Sequence, residues 1–114
     1  MPHEPRILIV EDDKVSNIIY RELLKKYACY VDIVESAEQA IEKFNQDHYD
    51  LLLVDIRLPR MDGFELAKKI RTTEKRCRVP IVGITAITVS LIDEEFILSG
   101  MNNILEKPLR LKEI

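Results

Sequence analysis

Short apolar runs of strand length recur along this chain and alternate with segments whose apolar residues follow helical spacing. The runs cover residues 7–10, 31–34, 51–54 and 81–84, and a shorter one covers 103–105. The runs 7–10 and 51–54 are uninterrupted, which is typical of strands that are buried on both faces of a parallel sheet. Because strands that alternate with helices build βα units, the pattern predicts one α/β domain with helices on both faces of the sheet.

Apolar residues at helical spacing define four predicted amphipathic helices. Their stripes contain, in chain order, Val15, Ile18, Ile19, Leu23 and Tyr27; Ala37, Ala40, Ile41 and Phe44; Phe64, Ala67 and Ile70; and Val89, Ile92, Phe96 and Ile97. Asp13 and Ser36 are placed to cap the first two helices, Asp62 precedes the third, and Gly100 ends the fourth. The segment 109–114 begins like a fifth helix, but its six residues make fewer than two turns. We therefore expect a truncated last helix and a chain that is a piece of a longer protein.

The order of the strands follows from the position of the first one. It can be central in the sheet only if the chain reverses its winding direction after the second strand. This gives the order 2-1-3-4-5 of the flavodoxin-like, doubly wound (βα)5 folds, whose switch point lies between strands one and three. In such sheets, ligands bind in the crevice beyond the carboxyl ends of the strands. The sequence thus predicts a binding site where the first and third strands end.

Both of those strands end on acidic residues. Asp55 follows the third run directly, and Glu11, Asp12 and Asp13 follow the first. If the strands are neighbours, at least three carboxylates converge, and one like-charged pair at ~4 Å repels by about 4 kcal/mol at an intermediate dielectric. A hard divalent cation such as Mg²⁺, which takes oxygen ligands, would offset this charge. For Asp13, the role of helix cap is favoured over that of ligand.

Two more polar side chains lie at strand ends of the same sheet edge. Thr85 ends the fourth strand, and Lys107 follows the fifth, directly before Pro108. The hydroxyl can donate to an anionic oxygen, and the ammonium can balance negative charge that arrives on Asp55. Carboxylates, a hydroxyl and a lysine are the groups needed to move a phosphoryl group onto a carboxylate.

Composition and charge exclude several classes of function. The 114 residues fit one domain, and their net charge of −3 argues against a nucleic-acid surface, which needs a basic patch. No apolar run approaches the ~20 residues that span a bilayer, and no signal peptide is visible. Cys29 and Cys77 match no metal-site spacing and are interpreted as reduced thiols. We therefore expect a cytoplasmic domain, or the cytoplasmic portion of a membrane-bound protein, with no direct contact to nucleic acid or membrane.

Through essentially its whole length, the chain resembles the receiver domains of two-component response regulators. The matching motifs occupy residues 7–13, 49–55, 58–63, 83–86, 99–101 and 107–108. The resemblance implies a phosphorylation-dependent signalling switch that accepts a phosphoryl group from a histidine kinase or a histidine phosphotransfer protein. It implies self-catalysed phosphorylation and dephosphorylation, and no enzyme with a separate small-molecule product. The parent chain would be a kinase if it is a hybrid histidine kinase; a fragment of a response regulator is the alternative.

The resemblance also implies a role for each site residue. Asp55 is the phosphoacceptor and, with Asp12, a metal ligand. Glu11 is the second acid, acting through a metal-bound water, and the backbone carbonyl of Arg57 is a further ligand of Mg²⁺. Thr85 contacts the phosphoryl group.

The remaining implications concern the carboxyl-terminal part of the chain. Lys107 is the charge partner of the phosphoryl group, and its bond to Pro108 is expected to be cis. The face formed by the fourth helix, fifth strand and fifth helix is implied to bind a second copy or an output domain. Leu91, Leu98 and Ile104 are harder to place; whether they belong to such a face or to the core stays open.

Two residues depart from the family pattern. Ile104 stands three residues before the lysine, where the family usually has Tyr or Phe, which puts the aromatic switch coupled to Thr85 in doubt. Arg57 places a long cation two residues past Asp55, and we expect its side chain to shape the access of water to the acyl phosphate. The phosphoryl lifetime of Arg57→Ala tests this expectation, and an unchanged lifetime would refute it.

Two other functions are weighed against this one. A phosphatase of the haloacid dehalogenase type also uses a strand-end Asp and Mg²⁺, but it carries a second Asp where this chain has Arg57. Turnover of a generic phosphate ester would support it. A degenerate receiver that only binds proteins would fail to accept phosphate on Asp55; the complete acidic set, Thr85 and Lys107 argue against that alternative.

Overall fold

A computed structural model describes residues 5–27, 29–58, 60–73, 79–85 and 93–106. Strands and helices alternate along these residues: β1 (Arg6–Val10), α1 (Lys14–Leu24), β2 (Tyr30–Val34), α2 (Ala37–Gln46), β3 (Leu51–Asp55), α3 (Gly63–Thr73), β4 (Ile81–Thr85), α4 (Asp93–Ser99) and β5 (Asn103–Glu106). Several predicted features lie outside the described residues: Lys107, Pro108, Cys77, Val89, Leu91, Ile92 and the segment 109–114. None of the helices within the described ranges is long and apolar enough to cross a membrane.

The five strands form one parallel sheet in the order β2-β1-β3-β4-β5, so the predicted topology is confirmed. The register aligns Val10 of β1 with Val54 of β3, which brings the carboxyl ends of these two strands side by side. Each strand is one residue longer than its apolar run, and β3 and β4 end on Asp55 and Thr85, as expected. These two side chains therefore stand on hydrogen-bonded backbone rather than on loops.

Alternate side chains of the strands pack on opposite faces of the sheet, as the pleat requires. Leu8, Val10, Leu52 and Val54 pack on the side of α2 and α3. Ile7, Ile9 and Leu53 form a second cluster with α1. Most of these side chains are fully buried, and each contributes about 1.5–3 kcal/mol of transfer free energy. The predicted stripes of the second and third helices are confirmed as buried or half-buried core.

The predicted stripe of the first helix is wrong. Four of its members are exposed: Val15 by 64%, Ile18 by 63%, Ile19 by 47% and Tyr27 by 47%. The face of α1 that packs on the sheet is instead formed by Tyr20 and Leu24, with Leu23 half-buried beside them. Apolar residues extend around more than one face of this helix, so spacing alone could not select the buried one. In α4, Phe96 packs on the core as expected, whereas Ile97 is 74% exposed and Leu98 64%.

The predicted helix ends are confirmed. Asp13 accepts a hydrogen bond from the Ser16 backbone N–H (3.1 Å) and caps α1. Ser36 accepts one from Gln39 (3.1 Å) at the start of α2, and Asp62 accepts one from Glu65 (2.9 Å) at the start of α3. Such caps satisfy backbone donors that the helix itself leaves unpaired. Gly100 follows α4 with φ +86°, a conformation that favours glycine.

Arg71, near the end of α3, connects this helix to the segment before β4 and to the turn after α4. Its Nε donates to the Gly100 carbonyl (2.9 Å), Nη1 to the Val79 carbonyl (2.7 Å) and Nη2 to Oδ1 of Asn102 (2.7 Å). The same Asn102 oxygen accepts the backbone N–H of Ile81 (2.9 Å). One guanidinium thus fixes the turn after α4 and the start of β4 against α3.

Candidate metal centre

Three carboxylates meet at the carboxyl edge of the sheet, where β1 and β3 end side by side. Glu11 and Asp12 follow β1, and Asp55 ends β3. Each contributes an oxygen, and these oxygens all lie within 4.8 Å of one another. Glu11 is fully buried and Asp55 is 6% exposed, whereas Asp12 is exposed. The predicted convergence of carboxylates is confirmed; the roles of the individual residues stay predictions.

The chemistry of this cluster fits a hard divalent cation. All three groups offer oxygen atoms, which Mg²⁺ and Ca²⁺ prefer, and nitrogen or sulfur ligands are absent from the cluster. Two buried negative charges so close together repel each other, and a cation would offset that repulsion. The exposed Asp12 gives the cluster a solvent side, through which a hydrated ion could enter. The donor set therefore matches a magnesium site that keeps several water ligands.

Backbone hydrogen bonds position Asp55 and its carboxylate. The N–H of Arg57 donates to Oδ1 of Asp55 (3.0 Å), and the N–H of Ile56 donates to the carbonyl of Ile84 on β4 (3.0 Å). The helix α3 begins directly against this strand end, where the Gly63 N–H donates to the Ile56 carbonyl (2.8 Å). A Cβ at Gly63 would lie 2.7 Å from the carbonyl oxygen of Asp55, so only glycine fits there without a shift of backbone. The Arg57 side chain itself is exposed.

Glu11 is held by contacts from α1 and from the turn before it. The Tyr20 hydroxyl donates to Oε1 (3.2 Å), and the Asp13 N–H reaches Oε2 at 3.4 Å. The Asn17 side-chain amide donates to the Glu11 backbone carbonyl (2.9 Å). Burial, reinforced by the negative charge of Glu11, raises the pKa of Tyr20, so its phenol stays protonated and acts as the donor.

Tyr20 is the residue of this site that sequence reasoning missed. It is 3% exposed and lies on the buried face of α1, which the apolar pattern did not identify. The available signal was a tyrosine among aliphatic residues of one helix, because a buried phenol needs a hydrogen-bond partner. That partner could not be identified without the tertiary structure.

The remaining residues predicted at or near the site are Thr85, Lys107 and Ile104. Thr85 is the last residue of β4 and is 1% exposed. Asp55, on the neighbouring strand β3, pairs with Ile84, the residue that precedes Thr85. Thr85 therefore stands at the same sheet edge as the carboxylates. Lys107 lies outside the described residues. Ile104, opposite Gly83 in the sheet, is a buried core side chain with 9% exposure.

Comparisons with known proteins match nearly the whole chain. The family model of the response regulator receiver domain matches residues 7–114. Sensor protein EvgS of Escherichia coli is 37% identical over 97% of this chain, which spans 9% of that protein. The curated relatives that match are much longer, and the chain spans about a tenth of their length.

Two solved structures are similar in fold and in sequence. The receiver domain of the sensor histidine kinase PA1611 from Pseudomonas aeruginosa, which has a magnesium ion in its active site cleft, shares 33% identity with a TM-score of 0.87; the match covers 97% of this chain and 91% of that one. A second structure holds the Saccharomyces cerevisiae histidine phosphotransfer protein Ypd1 together with the receiver domain of the response regulator Ssk1. Its match has 27% identity and a TM-score of 0.85 and covers 96% of this chain and 83% of that one.

Proposed function

This chain belongs to the family of response regulator receiver domains, which act as phosphorelay switches, and from that premise we propose that Asp55 is its phosphoacceptor. The observation that carries the proposal is the cluster of Glu11, Asp12 and Asp55 within 4.8 Å at the carboxyl edge of the sheet. Among these three, Asp55 stands on the hydrogen-bonded end of a central strand, and the Arg57 N–H orients its carboxylate. A nucleophile in phosphoryl transfer needs such positioning.

The proposed reaction is the transfer of a phosphoryl group from a phosphohistidine to Asp55. An Asp55 oxygen attacks phosphorus, the P–N bond to the imidazole breaks, and a P–O bond forms. Glu11, Asp12, Asp55 and the Arg57 carbonyl would hold Mg²⁺, which supplies positive charge that offsets the negative charge of the carboxylates and the phosphoryl group. The Thr85 hydroxyl donates to a phosphoryl oxygen, and the Lys107 ammonium balances the remaining charge.

The domain would itself promote both its phosphorylation and the later hydrolysis of the acyl phosphate, because both steps profit from the same charge environment. Incubation with a small acyl phosphate and Mg²⁺ tests the proposal. We expect a mass increase of one phosphoryl group that appears only with the metal and disappears spontaneously. Continuous turnover of a generic phosphate ester would instead support a phosphatase, and no reaction at all would support a receiver that only binds proteins.

A phosphohistidine donor must dock beside Asp55, and α1 presents an apolar surface there. We define the α1 apolar surface as Val15, Ile18 and Ile19, which are exposed by 47% to 64%. The helix begins two residues after Asp12, so this surface starts close to the carboxylate cluster and extends along α1 from there. Clustered exposed apolar side chains are typical of protein-binding sites. We propose that a histidine kinase or histidine phosphotransfer domain covers the α1 apolar surface during transfer.

Ile18→Glu tests this docking surface. We expect at least a tenfold slower transfer from a phosphorylated histidine phosphotransfer protein, because a buried charge at an interface centre costs about 2 kcal/mol or more. Phosphorylation by a small acyl phosphate should stay within twofold of wild type, because that donor needs no docking surface. The rates are measured by following phosphoryl transfer with time.

Ile97→Glu is the matched control, because Ile97 is an isoleucine with 74% exposure on a different helix. It should leave both rates unchanged, because the proposed partners of α4 are a second copy or an output domain and not the phosphoryl donor. If it slowed transfer from the protein donor as much as Ile18→Glu does, the donor would not be docking specifically on α1.

Further proposals concern the parent protein. The relatives that match include a hybrid signal transduction histidine kinase and the sensor proteins EvgS and ArcB, of which this chain spans a small part, so we propose that it is the receiver part of a hybrid histidine kinase and lies in the cytoplasm. Ile97 and Leu98 are the exposed apolar residues of α4, and they support a face of α4 and β5 that contacts a second copy or an output domain.

A further inference from the structure

We propose that Tyr20 is a positioning residue of the candidate metal centre, because its phenol fixes the carboxylate of Glu11 in the orientation that a cation requires. The inference rests on the proposed function, which makes Glu11 part of a magnesium site. Tyr20 touches neither the metal nor the phosphoryl group in this proposal and acts only through Glu11.

The contact is buried on both sides. Tyr20 is 3% exposed and Glu11 is 0% exposed, and 3.2 Å separates the phenolic oxygen from Oε1. The other carboxylate oxygen is approached by the Asp13 N–H at the longer distance of 3.4 Å. A carboxylate without access to bulk water depends on such donors for its solvation. The Tyr20 hydroxyl is therefore one of the donors that set the orientation of the Glu11 carboxylate.

The packing of α1 alone does not require a hydroxyl at this position. Tyr20 belongs to a cluster whose other members include Ile7, Ile9 and Leu24, all apolar. A phenylalanine would fill the same space, and burying a hydroxyl is unfavourable unless it is hydrogen-bonded. The tyrosine is thus explained by its partner, Glu11. Hydrogen bonds to ligand carboxylates typically change metal affinity by about 10- to 100-fold.

The chain offers a matched control at the opposite end of the sheet. Tyr49 is 2% exposed, and its hydroxyl donates to Oδ2 of Asp32 (2.6 Å), a carboxylate outside the metal cluster. Burial raises the pKa of Tyr49 in the same direction as that of Tyr20. Tyr49→Phe therefore removes the same kind of hydrogen bond without changing any proposed ligand.

The experiment measures the Kd for Mg²⁺ of the 114-residue chain by isothermal titration calorimetry for wild type, Tyr20→Phe and Tyr49→Phe. We expect binding about tenfold weaker in Tyr20→Phe and a Kd within twofold of wild type in Tyr49→Phe. Circular dichroism without metal establishes that each variant is folded. An unchanged Kd in Tyr20→Phe, or an equal loss in both variants, would overturn the inference while leaving the proposed function intact.

A double-mutant cycle with Glu11→Gln tests the route of the effect. If Tyr20 acts through the Glu11 carboxylate, Tyr20→Phe should weaken Mg²⁺ binding less than twofold in the Glu11→Gln background. A full tenfold loss in that background would overturn the positioning role. Absence of Mg²⁺ binding by the wild-type chain would overturn both this inference and the metal dependence of the proposed function. Failure of the proposed function is thereby distinguished from failure of the Tyr20 inference alone, in which the wild-type chain still binds Mg²⁺.

Discussion

Asp55→Asn is expected to abolish phosphorylation of this chain by both small acyl phosphates and phosphohistidine donors. Asparagine keeps the size of the side chain and an oxygen that can accept the Arg57 N–H, which at present lies 3.0 Å from Oδ1. It removes the negative charge and with it the nucleophile, because a neutral amide oxygen does not form a stable acyl phosphate. Intact-protein mass spectrometry after incubation with donor and Mg²⁺ should show no added phosphoryl group.

Asp62→Asn is the control for this experiment. Asp62 is an acidic residue of the same region that caps α3 through the Glu65 N–H, and asparagine is an equally good N-cap. We expect this variant to accept one phosphoryl group at the wild-type rate. Persistent phosphorylation of Asp55→Asn would show that another residue is the acceptor, and the assignment of Asp55 would then be wrong.

Arg71→Ala is expected to lower the free energy of unfolding by about 2–4 kcal/mol, because it removes three charge-assisted hydrogen bonds at once. Two of the acceptors are backbone carbonyls, of Val79 and Gly100, and the third is Oδ1 of Asn102. Val79 is buried, so its carbonyl would lose a partner in a place with little water. Urea denaturation followed by circular dichroism gives the difference in unfolding free energy.

Two companion variants separate this network from a general effect of charge. Lys69→Ala, at an exposed position of the same helix, should change the unfolding free energy by less than about 0.5 kcal/mol. Arg71→Lys keeps the charge but cannot reach three acceptors in a fork, so it should recover only a small part of the loss. If Arg71→Lys matched wild type, the charge and not the hydrogen-bond geometry would be responsible.

The sheet and the acidic cluster could be predicted from the apolar runs and from the topology of a parallel sheet. Buried strands appear as apolar runs, and parallel strands must present their carboxyl ends at one edge, so the meeting of Asp55 with Glu11 and Asp12 follows from topology. The caps at Asp13 and Ser36 were equally predictable, because each acts within three residues of its partner.

The remaining features depend on contacts that the linear pattern does not contain. The buried face of α1 was misassigned because apolar residues surround much of the helix, and only packing on the sheet selects Tyr20 and Leu24. The Arg71 network joins residues 29 and 31 positions apart, and nothing near Arg71 in the sequence indicates its partners. An arginine near a helix end is most often a solvated surface residue, so its structural role appears only in three dimensions.

The absence of a side chain at Gly63 has a mechanical consequence. The first turn of α3 rests on the backbone of Asp55 and Ile56 at distances that leave no room for a methyl group. Strand end and helix start are therefore in direct contact, with no compressible layer of side chains between them. A modification that displaced Asp55 toward α3 would press directly on the helix backbone. The helix α3 would then either move together with Asp55 or prevent the displacement.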